Sequence, residues 1–221
     1  MKKTAIILGA SGLTGSLVLE KLLNDDRYKT IKLFSRKKIE GLPSKVIQFT
    51  GNLLELENFK ADFTADEVYC CIGSTAKKTP DKEIYKAIDY GIPVTAAKLS
   101  KENNIQTFCV VSAIGANVNS SVFYNKTKGE MESDVLSTKI KNTYILQPSI
   151  IKGNRNEQRF GENIGLVLFK ILQPFFFGKL KKYNITEAEH IAQAMINLAN
   201  STSETQIITS EKIKNIAINK N

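Results

Sequence analysis

One histidine, three cysteines and no long unbroken apolar run in 221 residues narrow the chemistry at the outset. Cys70, Cys71 and Cys109 sit inside apolar stretches and make no metal-ligand spacing. They read as buried small hydrophobes of a reducing compartment, and no metal is expected. His190 opens a C-terminal helical pattern, where a structural or solvated role is expected. The longest apolar region, residues 164–177, is interrupted by Lys170 and Pro174 and is too short to cross a bilayer. The start, Met1-Lys2-Lys3 before Ala5 to Leu8, faintly resembles a secretory signal, but its apolar part is too short and glycines interrupt it. A cytoplasmic protein with no membrane partner is the expectation. No internal repeat or rich linker divides the chain, so residues 1–221 are expected to form one domain.

Lys and Arg (31) outnumber Asp and Glu (22), for a formal net charge of +9. The lysines are scattered along the chain rather than interleaved with aromatics, and no nucleic-acid-binding motif accompanies them. The charge is read as a solvated surface with some attraction for anions, with no nucleic-acid partner.

What the sequence does carry is concentrated near its start. Ala5, Ile6, Ile7 and Leu8 form a short apolar run suited to a strand buried on both faces. It leads straight into Gly9-Ala10-Ser11-Gly12-Leu13-Thr14-Gly15, and then into apolar residues at helical spacing, Leu13, Leu17, Val18 and Leu22. Strand, glycine loop and helix in that order make a phosphate site out of a glycine pattern. Gly9 takes the tight turn, Gly12 admits a pyrophosphate, and Gly15 lets the helix lie close to the strand. Ser11, Leu13 and Thr14 belong to the same loop, and the helix N-terminus offers free N–H groups to the phosphates.

The second strand, residues 30–34, ends at Ser35-Arg36-Lys37-Lys38. In a nucleotide-binding βαβ unit this tip lies beside the adenosine ribose, about 20 residues past the glycines. An acid there favours NAD; Arg36 with lysines behind it can grip a 2′-phosphate, and so NADP is expected. After a third strand at 45–49, Asn52 is assigned to the adenine edge and Leu53 to its ring face. The fourth strand, 67–72, ends in small residues, placing Cys71, Ile72 and Gly73 against the ligand. A long helix over 81–103 follows, kinked at Pro93. A fifth strand at 106–111 leads into Ser112, and a helix over 122–137 contains Tyr124 and Lys128. A sixth strand at 142–147 ends at Pro148. Beyond it the alternation stops. An apolar helical face at 164–172 closes at Pro174 to Gly178, with Phe175 to Phe177 assigned to core or cleft wall. Thr186-Glu187-Ala188-Glu189 reads as a capping box for a helix reaching Asn200, and 206–209 as a final strand. This order predicts an α/β doubly wound parallel sheet (Rossmann) with a small C-terminal helical elaboration, residues 150–185 forming its substrate side.

Gly9, Arg36, Gly73 and Ser112 all fall at carboxyl ends of expected strands, where open parallel sheets bind ligands. Tyr124 and Lys128 are four apart and share a helix face. With Ser112 they make a proton-transfer set. The ammonium is expected to lower the Tyr124 pKa so that the phenol trades a proton with a carbonyl or alcohol oxygen, which Ser112 also holds. Arg155 and Arg159, in a polar loop after the sixth strand, are open to an anionic substrate, a cofactor phosphate or solvent.

These motifs resemble the short-chain dehydrogenases/reductases of the atypical, extended-like kind, in particular small NAD(P)-binding oxidoreductases related to the human tumour suppressor TIP thirty. The resemblance runs through GASGLTG at 9–15, SRK at 35–37, CCIGST at 70–75, YKAIDY at 85–90, VVSAIGA at 110–116, YNKTKGEME at 124–132 and LQPSIIKG at 146–153. It implies Ser112, Tyr124 and Lys128 as the catalytic triad, Lys128 holding the nicotinamide ribose as well, and the segment from Pro148 lying against the nicotinamide. Many extended members carry Asp where this chain has Asn52, which weakens the adenine assignment. Two functions are then in play. One is an NADP(H)-dependent oxidoreductase on a small carbonyl or alcohol; the other is a redox-sensing regulator that binds NADP(H) without turnover. A nucleotide-sugar epimerase is disfavoured, because only about 70 residues follow Pro148 to build a substrate domain. The expected partner is a small-molecule substrate, and the chain is expected to be a monomer or homodimer.

Overall fold

The computed structural model describes residues 2–75, 78–153, 185–201 and 203–219. The expected helical face at 164–172, Phe175 to Phe177, Arg155 and Arg159 lie outside the described residues. Strand β1 (Lys3–Leu8) is followed by helix α1 (Leu13–Leu23), β2 (Tyr28–Ser35), β3 (Val46–Thr50) and a 3₁₀ segment at Leu53–Phe59. Then come β4 (Glu67–Cys70), α2 (Lys82–Lys86), a π turn (Ala87–Gly91), α3 (Ile92–Glu102), β5 (Thr107–Val111), α4 (Phe123–Ser137) and β6 (Asn142–Gln147). The described part closes with β7 (Ile151–Lys152), β8 (Thr186–Glu187), α5 (Ala188–Ala199), β9 (Ile207–Thr209) and α6 (Ser210–Ile218).

Seven strands form one sheet in the order β3-β2-β1-β4-β5-β6-β9, and every pairing is parallel. The predicted doubly wound fold is the one observed. The chain builds outward from β1 to β3, then returns to β1's other side to start again at β4. Adjacent connections diverge at that reversal and leave a crevice at the carboxyl ends of β1 and β4. Both faces of the sheet are covered, which is why its central strands are apolar on both sides. Ala5, Ile7, Leu33, Tyr69 and Leu146 pack against Val18 and Leu22 of α1, Ile191 and Met195 of α5 and Ile213 of α6. On the opposite face, Ile6, Leu8, Phe34, Val68 and Val110 meet Leu56, Leu99 of α3 and Met131 and Val135 of α4. At the far end of the sheet, buried Glu67 accepts hydrogen bonds from Tyr28 and Tyr69, each at 2.7 Å, and from Lys3 at 2.5 Å. That network fastens the strands away from the crevice.

Two local expectations are corrected, and one helix is new. The helix over 81–103 is not simply kinked at Pro93. Pro93 has no N–H for the Asp89 carbonyl four residues back, and the turn before it widens so that the Ile92 N–H reaches the Ala87 carbonyl. The capping box does not form: α5 is capped by Glu187 without a side-chain bond. The Thr186 hydroxyl instead meets Ser210 at 2.8 Å and Ser149 at 3.0 Å, joining β8 to the start of α6. Helix α6 itself was not anticipated, because its inward residues, Ile213 and Ala217, make too short a pattern to read.

Candidate active site

The glycine turn has the geometry its spacing predicts. Gly9 sits at φ +82°, and a Cβ there would lie 2.8 Å from the Cys71 carbonyl oxygen, so the turn is both left-handed and pressed against the end of β4. A Cβ on Gly15 would lie 2.1 Å from the Gly9 carbonyl oxygen, a contact no side chain survives. Gly12 caps α1 in an extended conformation and has no side chain with which to occupy the helix's first N–H groups. Those donors therefore face the crevice. Ser11 is exposed, Leu13 half-buried and Thr14 buried. The chain beyond β6 returns to this turn, since a Cβ on Gly153 would meet a Leu13 methyl carbon at 2.8 Å. Pro148, buried, begins that return and accepts a hydrogen bond from the Ile114 N–H at 2.9 Å.

Around the crevice the remaining expected cofactor residues divide. Arg36 and Lys37 are exposed just past the tip of β2, while Ser35 is buried and donates its hydroxyl to the Lys37 carbonyl at 2.7 Å. Cys71 and Ile72 are half-buried and Gly73 exposed at the tip of β4. Asn52 is otherwise engaged: its amide oxygen accepts from the Leu54 N–H at 3.1 Å and its amide nitrogen donates to Glu55 at 2.8 Å. Capping the 3₁₀ segment takes the groups that had been assigned to adenine. Leu53 is buried in the core beside Phe34 rather than laid open to a ring face.

Ser112 follows β5 and is held there by its N–H bond to the Leu146 carbonyl at 2.7 Å. Tyr124 and Lys128 lie on α4, and the helix is drawn tightly under the 113–119 loop by Gly129, whose Cβ would fall 2.3 Å from the Asn117 carbonyl carbon. Lys128 is buried, with its ammonium 2.9 Å from Asp89 Oδ1. The π turn aims Asp89 inward, where Oδ2 also accepts from the Ser74 N–H at 2.7 Å. Burial, the largest single influence, would pull the Lys128 pKa down; the charge and hydrogen bond of Asp89, with Tyr124 and Cys70, together more than offset it and hold the group above the usual lysine range. The expectation for Tyr124 is reversed. Desolvation raises its pKa, Asp89 adds to the rise, and Lys128 only partly opposes them. Tyr124 as a residue is 40% exposed, and its ring lies 6.2 Å from the Tyr85 ring.

Three participants were missed by sequence reasoning. Asp89 carried a legible sign in Pro93, four residues on, which withdraws a donor and disturbs the helix at that point. Glu132 continues the i, i+4 series of Tyr124 and Lys128 along one face of α4. Its carboxylate accepts the Ser112 hydroxyl and both contacts of the Gln147 amide, at 2.9 and 3.0 Å. Gln147 carried no sign, because only the pairing of β5 with β6 brings it there.

Comparison with known proteins places this geometry. The sequence profile of the NAD(P)H-binding family matches residues 9–160, which contain the glycine turn, Arg36, Ser112, Tyr124 and Lys128. The chain belongs to this family, among the atypical short-chain dehydrogenases/reductases. It is 31% identical over 204 residues to Protein FMP52, mitochondrial, of Debaryomyces hansenii, covering 89% of this chain and 87% of that protein. It is 29% identical over 164 residues to Protein HTATIP2 of Rattus norvegicus, covering 72% and 67%. The fold recurs in the UDP-glucose 4-epimerase of Thermotoga maritima solved with UDP-glucose (TM-score 0.70, 14% identity, 97% of this chain and 81% of that one). It recurs too in the thiolation-reductase di-domain of an archaeal non-ribosomal peptide synthetase (TM-score 0.72, 13% identity, 95% and 57%). The chain is thus an NAD(P)H-binding, oxidoreductase-like domain, and its glycine turn, with a cradle a Cβ would fill, fits the cofactor's diphosphate.

The expectation of a cytoplasmic protein is overturned by the family's fungal members, several of which are named mitochondrial. Buried thiols and scattered lysines suit any reducing compartment, so they had no power to choose between the two.

Proposed function

We propose that this protein is an NADP(H)-dependent oxidoreductase that moves hydride to or from a small carbonyl or alcohol. The observation that carries the reading is the buried Lys128 ammonium one helical turn from the partly exposed Tyr124, on the helix that packs beside Ser112. The backbone donors of Leu13 to Gly15 would hold the diphosphate, and Arg36 and Lys37 would hold the 2′-phosphate. Lys128 would reach the nicotinamide ribose, with Ile72, Gly73 and Pro148 along the ring. When bound, the nicotinamide supplies or accepts the hydride. Tyr124 holds its proton firmly, as its raised pKa requires, and donates it to the substrate oxygen as charge builds there. Lys128, kept cationic by Asp89, favours the phenolate that results. The mitochondrial names of the fungal relatives support a mitochondrial setting.

Tyr124→Phe tests the assignment. Cofactor oxidation is followed against aldehydes, ketones and quinones, alongside NADPH binding. The substitution is expected to leave binding within about twofold and to lower turnover by about 100-fold or more. Unchanged turnover would remove Tyr124 from the chemistry.

A second reading, a cofactor-sensing regulator without turnover, draws on a specific observation. Ser112 and Lys128 are each already engaged by a carboxylate, Glu132 and Asp89. A wild-type protein that binds NADPH and oxidises it with no compound of the screen would favour it.

A further inference from the structure

Ser112 has one hydroxyl hydrogen, and the buried carboxylate of Glu132 takes it. Gln147 contacts the same carboxylate through its amide nitrogen only, at 2.9 and 3.0 Å, and so offers Glu132 no acceptor to compete with Ser112. We infer that Glu132 is a positioning residue whose protonation state decides whether Ser112 can donate to a substrate oxygen, and hence which substrate, carbonyl or alcohol, the site receives. An ionised Glu132 can only accept. Ser112 then spends its hydrogen on Glu132 and turns lone pairs toward the crevice, an arrangement suited to the O–H of an alcohol. A protonated Glu132 donates to Ser112 Oγ instead, and the Ser112 hydrogen is released to join Tyr124 on a carbonyl oxygen. This deepens the oxidoreductase reading and rests on it for the identity of the substrate oxygen.

The surroundings allow the switch. Desolvation raises the Glu132 pKa, opposed by the Ser112 and Gln147 hydrogen bonds and by the charge of Lys128. Lys128 acts from the same helix, and Asp89 of the π turn stands on it as a counter-charge at 2.9 Å. Strands β5 and β6 present the neutral Ser112 and Gln147. Tyr90, also of the π turn, is occupied by Asp134 at 2.5 Å.

The experiment has two arms. In the first, protein labelled with ¹³C at the glutamate δ-carbon is titrated without cofactor, and Glu132→Gln identifies the resonance. The Glu132 carbon is expected to titrate above the ordinary glutamate value of 4.5. Ser112→Ala should move its midpoint further up, since it removes a donor that favours the carboxylate. A midpoint unmoved by Ser112→Ala would overturn the inference. In the second arm, kcat/KM for reduction of phenanthrenequinone by NADPH is measured against pH. The wild type should fall about tenfold per pH unit above the Glu132 midpoint. Glu132→Gln should lose that limb, because the amide that replaces the carboxylate does not titrate. An identical limb in Glu132→Gln would also overturn the inference. No turnover in either protein, with the carbon shifted as expected, would sink the oxidoreductase reading and uphold the Glu132–Ser112 coupling.

Discussion

Asp89 and Lys128 form the group on which the site's electrostatics turn. Each is nearly inaccessible, at 1% and 4% side-chain exposure, and each would be stranded without the other. Removing one partner of such a pair costs about 3–5 kcal/mol, because the remaining charge stays buried. Asp89→Ala is therefore expected to lose about that much in urea unfolding, and Asp89→Asn less, since the amide oxygen still accepts from Lys128. A loss below about 1 kcal/mol for the alanine variant would mean that Lys128 leaves the interior. The pair also has a signature in pH. The folded-state pKa of Lys128 lies above its ordinary value of 10.5, so its contribution to stability is complete below 10.5 and is lost as pH rises through the higher, folded value. Unfolding midpoints taken across that alkaline window should decline in the wild type and decline less in Lys128→Met. Equal declines would show that other groups govern the limb. That Tyr124 and Lys128 share one helix was legible from their spacing. The reversal of the Tyr124 pKa was not, because it comes first from desolvation in the folded site, which spacing does not show, and then from the Asp89 carboxylate of the π turn.

At the scale of elements, the turn between β1 and α1 and the widened turn between α2 and α3 do the positioning. The first was readable in full from Gly9, Gly12 and Gly15, because each glycine answers a separate steric demand. Gly15→Ala would place a methyl carbon 2.1 Å from the Gly9 carbonyl oxygen, and α1 must move away from the turn to admit it. That variant is expected to lose cofactor affinity by about tenfold or more while keeping its far-ultraviolet circular dichroism. Retained affinity would show that the helix N-terminus is not what meets the phosphates. The widened turn was read only as a proline kink. Pro93 declares that a hydrogen bond is missing, but not whether the helix bends or takes in an extra residue. The capping box misled for a related reason: Thr186 has a choice of partners, and packing gave it Ser149 and Ser210. Asn52 made the same kind of choice, serving its own 3₁₀ segment.

Over the whole molecule, the doubly wound parallel sheet was legible because alternating apolar runs and helical patterns leave few topologies, all with right-handed crossovers. Parallel order then brings every strand's carboxyl end to one edge, which is how residues as distant as Gly9, Arg36, Ser112 and Pro148 come to lie at that edge. Compartment was not legible, since nothing in the core or the crevice depends on it. The central claim is that this edge binds a pyridine dinucleotide by its diphosphate and selects the phosphorylated form through Arg36. Isothermal titration at modest ionic strength with NADPH and NADH tests it most directly. The account predicts NADPH binding tighter by about tenfold or more, the worth of one or two charge-assisted hydrogen bonds, and loss of that margin in Arg36→Ala. Tighter binding of NADH would contradict the role of Arg36, and no heat with either cofactor, reduced or oxidised, would contradict the account as a whole.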